Sequence, residues 1–204
     1  MIFQTSKLNF LAHIYLSFNH PELALGNFIA DRIKGKNYSH LPENIQNGII
    51  LHRAIDTFTD SHPIPRLSSA RLHSNYSHFS RVIIDIYYDH FLARNWNLYH
   101  PIPLNEFAEE FYTLLKCNCE YLPNSILTLM PHLFRENWLV SYAELRGIEQ
   151  VLIGMNRRTR YKSEMDRAIK DLILHYDSFH LEFSTFFEEL ITFSQEKIQS
   201  FKNA

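Results

Sequence analysis

With 204 residues and a formal charge of −2, the chain is long enough for one well-buried core and lacks the general basic field that gathers nucleic acid. The 16 Phe, 11 Tyr and 2 Trp set against only 5 Gly favour long helices over a turn-rich β architecture. No stretch reaches the roughly 18 uninterrupted apolar residues of a membrane helix, and Cys117 and Cys119, the only cysteines, make neither a disulfide framework nor a zinc knuckle, so a cytoplasmic protein with no membrane partner is expected.

The first predicted helix runs from about Thr5 to Phe18 and stops at Asn19-His20-Pro21, with Leu8, Leu11 and Phe18 on one side and His13 beside them. The second spans Pro21 to Lys34, with a proline in its first turn and Gly35 past its end. Asn27 and Asp31, four apart, share a face of it. The third begins at Pro42-Glu43 and ends before His62-Pro63; Ile45, Ile49, His52 and Asp56 follow one another by four, three and four residues and form one stripe. An imidazole and a carboxylate therefore stand where core residues belong, and Asp60 lies one turn further on. Burying a carboxylate without a partner is costly, so this pair requires a cation, a polar network or a wet cleft.

After a short helix from Arg66 to Leu72, the fifth predicted helix spans Ser80 to Trp96 and puts Asp89 and His90 on neighbouring stripes at the edge of its buried face. Helices follow at Leu104 to Cys117, Ser125 to Leu133, Trp138 to Leu145 and Ile148 to Arg157, with breaks at Pro101-Ile102-Pro103, Pro123 and Pro131. A long amphipathic helix from about Glu164 to Phe201 closes the chain, and its stripe of Ala168, Leu172, His175, Phe179, Phe183, Phe186, Leu190 and Phe193 reads as scaffold. No strand pattern or internal repeat competes. The expected fold is all-α, a single helical domain over residues 1–204.

Histidines and carboxylates at helical spacing on several helices are how bundles build divalent sites, and a mixed imidazole and carboxylate set suits Mn, Fe or Zn better than Ca. Such an ion acidifies water and neutralises charge on a phosphoryl oxygen, which is hydrolase chemistry. The competing interpretation of His52 and Asp56 is an internal ion pair, and His13 or His175 taken singly is a hydrogen-bonded core histidine. Repetition across helices, with Asp31, Asp89 and His90 also turned inward, favours the metal.

Six blocks add a resemblance: NFLAH (Asn9 to His13), GNFIADRIKG (Gly26 to Gly35), LHRAIDTFTD (Leu51 to Asp60), DIYYDHFLARNW (Asp85 to Trp96), ENWLVSY (Glu136 to Tyr142) and VLIGMNRRTR (Val151 to Arg160). Together, and in this order, they resemble the acyl carrier protein phosphodiesterases, a helical family akin to the HD-domain metal-dependent phosphohydrolases. The resemblance implies an HD-domain-like bundle that hydrolyses the phosphodiester joining 4′-phosphopantetheine to a serine of holo acyl carrier protein, with Mn²⁺ favoured and Mg²⁺ or another divalent ion as a substitute. It implies a metal held by some of Asp31, His52, Asp56, Asp89 and His90. Arg53 and Asp60 would join the catalytic group, Arg53 stabilising negative charge; His13 would donate a proton or support the ligands, and Asn27 would contact substrate. An HD-type site uses an adjacent His-Asp pair, whereas this chain has Asp89-His90 in reverse order and His52 and Asp56 a turn apart, so the ligand set stays open.

Carrier proteins of this kind are acidic, and the densest cationic run is Arg157, Arg158, Arg160 and Lys162. It is the expected docking site, with a solvated turn near helix C-termini as the alternative. Two other functions remain: a metal-dependent phosphohydrolase acting on a nucleotide or other small phosphodiester, and a non-enzymatic helical module that binds carrier protein. The sequence does not set the oligomeric state.

Overall fold

The structure, a computed structural model, describes residues 10–202. Twelve α-helices follow one another: α1 (Phe10–Tyr15), α2 (Pro21–Ile29), α3 (Glu43–Ser61), α4 (Pro63–Tyr76), α5 (Ser80–Arg94), α6 (Trp96–Tyr99), α7 (Leu104–Cys117), α8 (Asn124–Arg135), α9 (Trp138–Ser141), α10 (Leu145–Arg158), α11 (Ala168–Leu174) and α12 (Tyr176–Lys202), and no strand occurs among the described residues. No helix there is long and apolar enough to cross a membrane. The all-α class and the long C-terminal helix match the sequence reading.

The centre of the fold is α5, in which every residue from Val82 to Ala93 is buried. A helix buried all round must find internal partners for its polar groups, and that requirement governs Asp89 and His90 below. The aromatic stripe of α12 packs against α3, α4 and α5; Phe183 sits 5.6 Å from Tyr88 and 5.8 Å from Phe91, centroid to centroid. Burying such rings is the main source of stability for a bundle of this composition.

One crossing positions the site. α2 and α3 touch backbone to backbone at Gly26 and Gly48, where a Cβ would fall 2.0 Å from the carbonyl oxygen of Ile45 and 2.3 Å from that of Leu23, respectively. No side chain fits either position. The crossing sets Asn27 directly against the turn of α3 that carries His52.

Several expected boundaries move, each for a local reason. Thr5 to Asn9, the start of the first predicted helix, lie outside the described residues; the helix ends at Tyr15, and Phe18 and Asn19 take left-handed φ angles of 45° and 60°. The second predicted helix stops at Ile29 rather than Lys34: a 3₁₀ turn covers Ala30–Arg32, and Ile33 is extended. Arg53 draws the chain away there, its Nη2 donating to the carbonyls of Ile33 (3.3 Å) and Gly35 (2.6 Å) while its guanidinium covers the Tyr38 ring. The Arg66 to Leu72 helix is longer than expected because Pro63 starts it and His62 Nδ1 accepts from the Ile64 amide. Pro131 does not break α8; it lies on the exposed side, where solvent can satisfy the carbonyl its missing N–H leaves. The final helix is divided at His175, because α11 is tied separately to the core by Tyr76 donating to Asp171 and Tyr87 donating to the Ala168 carbonyl.

Replacing Gly26 or Gly48 with alanine should cost about 2 kcal/mol or more, because the clash is with backbone that cannot repack. Thermal unfolding followed by circular dichroism should show a melting temperature lowered by roughly 5 °C or more; an unchanged midpoint would contradict backbone contact at this crossing.

Candidate metal centre

His13 on α1, His52 and Asp56 on α3, and Asp31 in the 3₁₀ turn after α2 converge beside the Gly26–Gly48 crossing. Asn27 organises them. Its side-chain N–H groups donate to the His13 carbonyl (2.7 Å) and to Ser17 Oγ (3.2 Å), which fixes the amide orientation and turns Oδ1 toward the histidines. That oxygen accepts from His13 Nδ1 at 2.8 Å, and His52 Nδ1 donates to the Asn27 backbone carbonyl at 2.9 Å, with Oδ1 3.2 Å away. Carbonyl oxygens only accept, so both rings carry their proton on Nδ1 and present an Nε2 lone pair on the far side.

Those lone pairs face carboxylates. His13 Nε2 is 3.5 Å from Asp56 Oδ1, and His52 Nε2 is 3.5 Å from Asp56 Oδ2 and 3.3 Å from Asp31 Oδ1. Charge balance at these contacts takes either a second proton on the rings or one cation among them. The rings are stacked at 4.0 Å, so two imidazoliums would repel, and burial, then the neighbouring His52, lowers the pKa of His13. For Asp31, burial acts to raise the pKa but is outweighed by the hydrogen bond and charge of His52, and the net shift is downward.

With a small closing of the ligands, the group could hold one ion. Two ligand atoms each about 2.1 Å from a metal lie about 3.0–3.4 Å apart at cis-octahedral or tetrahedral angles. One ligand atom from each of His13, His52 and Asp56 falls within a 4.8 Å group, with Asp31 against its His52 edge. A recess of about 30 Å³ beside His13 and Asp56 has space for one or two waters. Nitrogen holding on Nδ1 with Nε2 facing inward is the usual arrangement of a metal-binding histidine.

The remaining residues singled out in the sequence lie elsewhere. Both oxygens of Asp89 accept first-turn amides of α1, from Leu11 at 3.0 Å and Ala12 at 2.8 Å, so this fully buried carboxylate caps another helix. Burial pushes its pKa up to about 8, against the pull of those two amides toward the charged form. His90 Nδ1 donates to the Tyr142 carbonyl at 2.8 Å and Nε2 accepts from the Tyr176 hydroxyl at 2.9 Å, which uses both nitrogens. Arg53 is committed to the Ile33 and Gly35 carbonyls. Asp60 is half-exposed, 3.8 Å from Arg81. Arg157, Arg158, Arg160 and Lys162 are exposed at and just beyond the end of α10. One residue near the site was not singled out by the sequence: Arg32, half-buried next to Asp31, whose only signal is its place in the ADR of the GNFIADRIKG block.

Asp89→Ala should lower stability by about 2–4 kcal/mol, because two buried amides lose their acceptor. Urea unfolding measures this, and a loss below about 1 kcal/mol would show that the α1 amides find another partner.

A family model described as acyl carrier protein phosphodiesterase matches residues 8–190. Proteins named acyl carrier protein phosphodiesterase from Photorhabdus laumondii (31% identical; 93% of this chain and 96% of the relative), Yersinia pestis (30%; 93% and 99%) and Escherichia coli (32%; 93% and 99%) are similar along nearly their whole lengths. No solved structure matches the chain. With the helical fold and the His13, His52 and Asp56 group in place, the chain belongs to the acyl carrier protein phosphodiesterase family.

Proposed function

We propose that this protein hydrolyses the phosphodiester between 4′-phosphopantetheine and the carrier serine of holo acyl carrier protein, using a divalent ion, Mn²⁺ in the first instance, held by His13, His52 and Asp56 with Asp31 beside them. The observation that carries the metal is the facing of two Nε2 lone pairs and two carboxylates, which a single cation resolves. Family membership carries the substrate.

When bound, a divalent ion acidifies a water molecule and neutralises charge on a phosphoryl oxygen. The overall step adds water across the P–O bond: the water oxygen bonds to phosphorus, and the serine oxygen leaves and gains a proton. Products are the serine hydroxyl and 4′-phosphopantetheine. Asn27 does no chemistry in this reading; it keeps both imidazoles in the tautomer that presents Nε2. His13, expected from sequence as a proton donor or a support, becomes a ligand, because its Nδ1–H is held by Asn27 and its lowered pKa keeps the ring neutral near pH 7. Asp89 and His90 act as structural groups of α5. The nitrogen and oxygen donor set favours Mn²⁺ over Mg²⁺, and a cytoplasmic location agrees with an acidic carrier protein as partner.

Intact mass of holo acyl carrier protein after incubation with the enzyme and Mn²⁺ tests the reaction. Loss of the phosphopantetheine mass should occur with metal and not with chelator present, and His52→Ala and Asp56→Ala should each slow it at least about 100-fold. No loss in the wild-type protein, with metal shown to be bound, would move the substrate to another phosphate ester. Asn27→Ala leaves every ligand in place yet should weaken Mn²⁺ binding by about 10–100-fold in calorimetry; unchanged affinity would remove Asn27 from its orienting role.

A further inference from the structure

Two of the blocks that carry the family resemblance, Glu136 to Tyr142 and Val151 to Arg160, contribute nothing to the metal centre. The fold brings them together. α9 and α10 border an open groove of about 770 Å³ whose walls include Trp138, Ser141, Gln150, Gly154 and Arg158. Its walls carry both polar and apolar groups. Its two carboxylates are engaged: Glu136 accepts from Trp138 Nε1 and from Arg135, and Glu144 lies 3.7 Å from Arg94. The end of the groove at Arg157 and Arg158 is left cationic.

Two features of the groove lack an internal explanation. Gly154 sits in the middle of α10, where glycine weakens a helix relative to alanine, yet a Cβ there would meet no atom within 4 Å. Gly147, on the same helix, is different: its Cβ would strike the Ser141 carbonyl oxygen, so packing of α9 on α10 explains it. Gly154 leaves open space on the groove wall, and no side chain of the described residues fills it. The second feature is a pair of like charges. Arg157 and Arg158, consecutive on α10, both line the groove, and neither is ion-paired with a carboxylate among the described residues. Two unpaired guanidiniums on one wall of a groove suit an anion. The charge of Arg32, the residue after Asp31, acts on Arg158, which turns the cationic end of the groove toward the side of the molecule that carries Asp31.

The occupant this describes is a linear molecule with an anionic head and a neutral body that carries both hydrogen-bonding and apolar groups. We propose that the α9–α10 groove holds the pantetheine arm of the substrate, with its phosphate end drawn to Arg157 and Arg158 and its amide-containing body lying over Gly154. This assignment rests on the phosphodiesterase reading for the identity of the arm.

The test uses the full chain with Gly154→Ala, Gly154→Leu and Arg158→Ala. Melting temperature, KM and kcat for holo acyl carrier protein, and the affinity for free 4′-phosphopantetheine are measured for each. Gly154→Ala should melt no lower than the wild type while KM rises, a combination that a purely structural glycine would not give. Gly154→Leu should raise KM by about tenfold or more and abolish the calorimetric signal of 4′-phosphopantetheine, with kcat changed less than about threefold. Arg158→Ala should weaken 4′-phosphopantetheine binding most at low salt. Unchanged KM and unchanged 4′-phosphopantetheine affinity in Gly154→Leu would overturn the groove assignment even if turnover is normal. Absence of turnover in the wild type would overturn the phosphodiesterase reading instead; binding of 4′-phosphopantetheine that Gly154→Leu abolishes would still support the groove, and no binding to the wild type would count against it.

Discussion

The contact between the backbones of α2 and α3 is the constraint on which the site depends. At Gly26 and Gly48 the helices approach too closely for any Cβ. That approach brings the Asn27 carbonyl within hydrogen-bonding distance of His52 and lets the Asn27 side chain reach back to His13 on α1. A wider crossing would leave Asn27 facing packed side chains, and the two imidazoles would lose the acceptors that set their tautomer. The glycines therefore belong to the site as much as to the core.

From that crossing an electrostatic argument follows. Asn27 consumes the donor on each ring, so the nitrogens left over are acceptors, and they face Asp56 and Asp31, which are acceptors too. Such a cluster is unfavourable in low dielectric unless positive charge enters it. The arrangement could therefore hold a cation, and it forgoes the packing that an apolar quartet would provide. Ionisable groups at core positions of this kind cluster at functional sites.

Asp89 and His90 answer a different demand. Because α5 is buried from Val82 to Ala93, Asp89 and His90 each need partners inside the protein. Asp89 meets this by capping α1, the helix that delivers His13, and His90 by joining the Tyr142 carbonyl to the Tyr176 hydroxyl at the foot of α12. Both groups hold elements around the site in place, and Tyr142 belongs to the block that ends beside the α9–α10 groove.

The sequence by itself determined the helical class, most helix positions and the stripe that pairs His52 with Asp56, because these follow from a 3.6-residue period and from Pro and Gly punctuation, which are local. The ordered blocks determined the family. Where helices yield to their neighbours the period was silent: it did not show Arg53 holding Ile33 out of the second helix, or Tyr76 and Tyr87 fixing α11 apart from α12. Only the tertiary structure decided which inward-facing ionisable groups meet. Spacing places a residue on a face of its own helix, but His13, Asn27, Asp31 and Asp56 come together through the crossing of α1, α2 and α3, and Asp89 departs from them because the open amides of α1 lie nearer. Those distances depend on how closely helices pack, and two missing Cβ atoms set that closeness here.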